Sequence, residues 1–95
     1  MKTQVWHLNR DKAIQLYLDR SSIKFPDDYT LIAYVDGADK DRAFERTNSI
    51  DRPWQDNDDV TPATIGPKRS TSVGDVVTLP DGSNWTCEPV GWVAI

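Results

Sequence analysis

The chain has 95 residues and a mass of 10.8 kDa, 38% of them hydrophobic and 27% charged, with a mean hydropathy of −0.59, which describes one soluble domain over 1–95 and excludes two ordinary cores. Fifteen acids against eleven bases give a net charge of −4, which argues against a nucleic-acid partner bound through phosphate neutralisation. A single cysteine, Cys87, and a single histidine, His7, exclude an intramolecular disulfide framework and a Cys-rich zinc site and leave few catalytic constellations.

The first residues contain no apolar run of signal-peptide length, and no stretch is long and apolar enough to span a bilayer. No membrane association is expected, and the expected location is the cytoplasm. Residues 1–24 carry a net +3, 25–60 a net −6 and 61–95 a net −1. Thirteen of the acids are Asp, a residue of caps and turns more than of helix interiors.

Gln4–Leu8 alternates as a short strand, and Asn9 offers an N-cap for a helix over about Arg10–Arg20. Its Ala13, Ile14, Tyr17 and Leu18 recur at three- and four-residue spacing and form one apolar face, expected to pack on the core. Pro26-Asp27-Asp28 is a turn. The β-branched and aromatic run Tyr29–Val35 predicts a central strand. Asp36-Gly37 closes it, and Asp39 caps a second helix over roughly Lys40–Asn48 with Ala43, Phe44 and Thr47 inward. Residues 51–68 read as a long polar connection anchored by Trp54 and Ile65.

Val76–Leu79, Pro80-Asp81-Gly82 and Ser83–Cys87 spell a hairpin with a type I turn and Gly82 left-handed, in a register that sets Val77 opposite Trp85. Counting by two puts Val77, Leu79, Trp85 and Cys87 on one face, so Cys87 reads as a small buried hydrophobe. Trp92–Ile95 offers a last short strand. The fold class is α+β, in the order β-α-β-α-β-β with a final strand to follow, forming a mostly antiparallel sheet with two helices on one face.

Asp56-Asn57-Asp58-Asp59 and Asp36–Asp41 cluster oxygen ligands but fail the calcium-loop template, the first for want of a glycine and the second because Thr47 stands where a glutamate belongs. No metal or cofactor is expected. Gly66-Pro67-Lys68-Arg69-Ser70 is a basic point too small for nucleic-acid affinity.

Arg69-Ser70-Thr71-Ser72-Val73-Gly74-Asp75-Val76-Val77, the Pro-Asp-Gly turn, an aromatic strand and Val90-Gly91-Trp92 resemble the YodL-like family of small domains from phages and plasmids. Tyr34–Gly37, Ala43–Ile50 and Trp54 extend the likeness, which covers about residues 29–95. The resemblance implies a fold and a genomic setting, and no established activity. Within the motif, Ser70 and Ser72 suit a turn, Gly74 an unusual φ, Asp75 acceptance from nearby amides, and Arg69 pairing with a carboxylate. These expectations favour a non-enzymatic module that binds a host protein, such as a defence or regulatory factor, over a small enzyme or nucleotide-handling accessory that uses the Arg69–Asp75 loop. A partner-binding surface is expected at Trp54, Asp56, Asp58 and Asp59, where an aromatic anchor would be rimmed by charge. The competing reading turns Trp54 inward to cap the core.

Overall fold

The computed structural model describes residues 1–48, 53–64 and 69–95. Six strands form one sheet in the order β3-β2-β1-β4-β5-β6, and every neighbouring pair is antiparallel. β1 spans Lys2–Leu8, β2 Tyr29–Asp36, β3 Val60–Pro62, β4 Val76–Thr78, β5 Asn84–Cys87 and β6 Trp92–Ala94. The helices are α1, Gln15–Leu18, and α2, Lys40–Arg46. This is the α+β class and, apart from one extra strand between α2 and the hairpin, the element order read from the sequence.

Alternation along β1 sends Thr3, Val5 and His7 to one face of the sheet. There Val5 meets Ile32, Ala33 and Val35 of β2, Val60 and Val77, under a cover of Ala43 from α2 and the Trp54 ring. Trp6 points to the opposite face, where it packs edge-on against Phe25 at 5.2 Å between centroids, and Phe25 against Tyr29 at 5.3 Å. The two faces are therefore covered by different segments: α2 with Trp54 on one, and the chain around Phe25 on the other.

α2 forms as its sequence dictates. The Asp39 carboxylate accepts from the amides of Asp41 and Arg42, satisfying two of the donors that a helix start leaves free. At the other end Thr47 is buried and returns its hydroxyl to the Ala43 carbonyl at 2.7 Å. The hairpin also follows the expected register, with Val77 opposite Trp85. The Leu79 and Gly82 amides close the Pro80-Asp81 turn onto Ser83 and Leu79, with Gly82 at φ +89°.

Two elements depart from expectation. The single helix over Arg10–Arg20 is broken into 3-10 turns at Arg10–Lys12 and Arg20–Ser22 around the one-turn α1. The Asn9 side chain accepts from the Thr30 hydroxyl at 2.6 Å and gives the turn no cap hydrogen bond. Asp19 leaves the helical region at φ −157° and takes hydrogen bonds from Ser21 and Ser22, local bonding that competes with helix continuation. The second departure is β3, which pairs Val60 with Val35 and Pro62 with Ala33 inside the stretch read as connection. Three residues ending in proline carry no alternation from which a strand could be read. Ile65, expected to anchor that connection, and the basic point at Gly66–Lys68 lie outside the described residues.

Candidate functional site

The Arg69–Asp75 motif lies where β1, the end of α2 and the hairpin meet, and its centre is a carboxylate. Asp75 is 1% exposed. Each of its oxygens takes one backbone amide and one guanidinium nitrogen. Oδ1 accepts from the Leu8 amide at 2.8 Å and Arg69 Nη2 at 2.7 Å, and Oδ2 from the Ser72 amide at 2.8 Å and Arg69 Nη1 at 2.7 Å. A buried carboxylate bound in this forked way is fully satisfied. The half-exposed Arg69 also donates to the Leu8 and Ser70 carbonyls, and its hydrogen bonds to Asp75 hold its basicity above the ordinary arginine value.

Around this pair the motif backbone is fastened at several points. The Asp75 amide donates to the Ser72 carbonyl, the Asp75 carbonyl accepts from Cys87, and the Gly74 amide donates to Cys87. The Tyr29 hydroxyl donates to the Gly74 carbonyl at 2.9 Å. Gly74 sits at φ +94°, and a Cβ there would lie 2.7 Å from Cδ1 of Leu16. Glycine is thus required by its backbone angle, while the Leu16 side chain would have to shift to admit a Cβ.

A second chain of hydrogen bonds crosses the core behind the pair. Thr47 Oγ1 donates to the Ala43 carbonyl, so it accepts from the Thr71 hydroxyl at 2.7 Å, and Thr71 in turn accepts from His7 Nε2 at 2.9 Å. This direction assigns a proton to Nε2 of His7. His7 Nε2 also lies 3.9 Å from Asp75 Oδ2, and the imidazole meets the Trp54 ring edge-on. His7, Thr47 and Thr71 were not legible as one cluster in the sequence, where they stand 40 and 24 residues apart; no local pattern joins a strand residue, a helix end and a loop.

The predicted partner surface does not assemble around an exposed aromatic. Trp54 is buried in the core, and its indole N–H donates to the Arg69 carbonyl at 2.9 Å. The competing inward reading describes this residue, because a connection that returns to the sheet at β3 carries the Trp54 ring into the core beside Ala43 of α2 and Val60. Asp56 and Asp58 are exposed. Asp59 is held by Arg42 at 2.6 Å and lies 3.1 Å from Arg46 Nε. Three carboxylates remain near one another, without the anchor.

The exposed apolar side chains are elsewhere. On α1 and the turn before it, Tyr17 is 87% exposed, Leu18 71%, and Ile14 is also exposed, with Val73 of the motif nearby in the fold. The apolar stripe expected to pack on the core faces solvent instead: Leu16 packs inward over Gly74, and Ala13, Ile14, Tyr17 and Leu18 look outward from a helix only one turn long. Between this turn and the motif runs a groove of about 290 Å³ whose walls include Ala13, Tyr17 and Val73 and whose charged side is Arg10 and the Arg69–Asp75 pair.

Among the described residues no three His, Cys, Asp or Glu side chains are grouped to hold a metal ion, and no helix is long and apolar enough to cross a membrane. Cys87 is buried, and burial followed by the charges of Asp75 and Glu88 pushes its thiol up, which leaves it protonated and a poor nucleophile at neutral pH. No family model matches the chain, and neither curated proteins nor solved structures give a match.

Proposed function

We propose that this chain is a non-enzymatic protein-interaction module, encoded by a phage or plasmid, that acts in the cytoplasm of its host bacterium on a host defence or regulatory protein. The observation that carries the interaction reading is the outward apolar face of Ile14, Tyr17 and Leu18 beside Val73. Large apolar side chains grouped on a small domain mark a binding surface more than a folding requirement. The groove beside them adds the guanidinium of Arg10, the Arg69 guanidinium being paired with Asp75, so the surface suits a partner that presents an apolar side chain next to a carboxylate. The phage or plasmid setting rests on the motif's resemblance to the YodL-like family.

The alternative, a nucleotide-handling or enzymatic use of the Arg69–Asp75 loop, is the weaker reading on the geometry. Asp75 is occupied by four internal donors, and both terminal nitrogens of Arg69 are committed to it. Phosphate binding there would have to displace a buried pair.

The test is affinity capture from host lysate with three baits: the parent, Tyr17→Ser/Leu18→Ser, and Asp56→Asn/Asp58→Asn/Asp59→Asn. The expected result is a stoichiometric partner on the parent and the Asn bait that is lost from the Ser bait, whose melting temperature stays near that of the parent. Capture that survives Tyr17→Ser/Leu18→Ser and fails with the Asn variant would move the surface back to the carboxylate loop. A parent that captures nothing and binds a nucleotide saturably would favour the alternative.

A further inference from the structure

The sheet has two edges, and they are built differently. β3, at one edge, ends in Pro62, which has no N–H to offer a new strand, and it follows the charged pair Asp58-Asp59. Proline and charge are common ways of closing an edge to association. β6, at the other edge, holds neither within Val90–Ile95, the preceding Glu88 and Pro89 lying in the turn from β5.

The hydrogen bonds of the β5–β6 ladder show which groups this edge presents. The Ile95 amide donates to the Asn84 carbonyl and the Glu88 amide to the Gly91 carbonyl, both at 3.0 Å, with Val93 opposite Thr86 between them. Because antiparallel bonding alternates along a strand, Gly91, Val93 and Ile95 turn their backbone groups toward β5, while Trp92 and Ala94 turn theirs away from the sheet. The side chains of Val93 and Ile95 share one face and are 53% and 61% exposed.

We propose that β6 pairs with β6 of a second copy of this chain, antiparallel about a two-fold axis through Val93, joining two six-stranded sheets into one. The outward groups set the register. Trp92 of each copy exchanges both backbone hydrogen bonds with Ala94 of the other, and the two Val93 residues face each other at the closely spaced, non-hydrogen-bonded position, about 4.5 Å apart at Cα. Side-chain size agrees with this register on both faces. Ile95 falls beside Gly91 of the second copy, and Trp92 beside Ala94, so each large side chain meets a small one. Sliding one strand by two residues toward its C-terminus would set the two Trp92 rings against each other. No charged pair opposes the contact across the axis. So short a strand contact belongs to the weak, reversible class, with a Kd of about 10 to 100 μM.

Sedimentation of the full chain from about 10 μM to about 500 μM brackets that range. The mass is expected to rise with concentration from 10.8 kDa toward twice that value. Val93→Lys sets two ammonium groups face to face at the axis and is expected to hold the protein at the monomer mass throughout, with a melting temperature near that of the parent because the side chain is exposed. The register is tested by cysteine substitution. Val93→Cys places two thiols within disulfide reach and is expected to form a cross-linked dimer on mild oxidation. Val90→Cys and the parent, whose Cys87 is buried, are expected to remain uncross-linked. A parent that stays monomeric across the whole range, or a Val93→Lys variant that associates as the parent does, would overturn the pairing. Cross-linking of Val90→Cys as fast as of Val93→Cys would overturn its register.

Discussion

Replacement of Asp75 by alanine removes an acceptor shared by four donors, and its cost can be worked donor by donor. The Leu8 amide is buried and would be left without an acceptor, a loss of about 1–3 kcal/mol. Ser72 is exposed, so water can replace the carboxylate at its amide and that loss is close to zero. Arg69 is half-exposed, and solvent discounts its two bonds well below the value of a fully buried pair. The sum is about 3 kcal/mol, a large part of the roughly 5–15 kcal/mol that a domain of this kind has to lose. Arg69→Ala is expected to cost a similar amount by a different route, since it leaves a buried charge supported only by two amides. Urea melts of the parent, both single variants and the double variant would measure the coupling, expected above about 1 kcal/mol because the groups touch. A loss below about 1 kcal/mol for Asp75→Ala would refute the reasoning and reopen the loop to a ligand-binding role.

Gly74→Ala should destabilise the fold by about 1 kcal/mol or more, because alanine is strained at φ +94° whatever room the Leu16 side chain makes; an unchanged melting temperature would show that the loop relaxes out of that angle. Val77→Asp puts a charge at a fully buried position and should prevent cooperative folding, whereas Trp85→Ala, at a half-buried ring capped by Lys40 at 4.4 Å, should cost less than the roughly 3–5 kcal/mol of a buried aromatic. Circular-dichroism melts rank the two. Burial raises both the Cys87 thiol and the Tyr29 hydroxyl, each with help from the Asp75 charge. Both groups therefore hold their protons more tightly in the folded state, and the stability they contribute is complete below their ordinary values of about 8.5 and 10 and is lost as pH rises beyond them. Melting temperature should fall above about pH 8.5, and Cys87→Ala should flatten the first part of that fall. Thiol labelling of the folded parent at pH 7 should be slow and should speed up in urea.

The parts of the fold that were legible in the sequence are those whose causes are local. The Asp39 cap, the Pro80–Gly82 turn and the β-branched run of β2 each carry their signal within a few residues. The register of Val77 on Trp85 follows from the turn alone. Within the motif, the roles of Arg69, Gly74 and Asp75 could be named from chemistry, though not their partners: the Leu8 amide lies 67 residues from Asp75 in the chain. What failed was the facing of the first helix. Periodicity identifies an apolar stripe and leaves open which way it points when a helix is only one turn long, and Leu16, off the stripe, proved to be the residue that packs inward over Gly74. Trp54 was ambiguous for a related reason. An isolated aromatic in a polar stretch reads equally as a surface anchor or a core plug until β3 shows that the chain returns to the sheet.

The central claim is that the outward face of Ile14, Tyr17 and Leu18 is where a protein partner binds. Hydrogen–deuterium exchange of the chain, alone and saturated with the partner captured from host lysate, locates the contact without altering a residue. The account predicts slowed exchange at 13–18 and at the motif around Val73, with the amides of 54–59 unchanged. Protection confined to 54–59, with 13–18 exchanging as in the free protein, would contradict it.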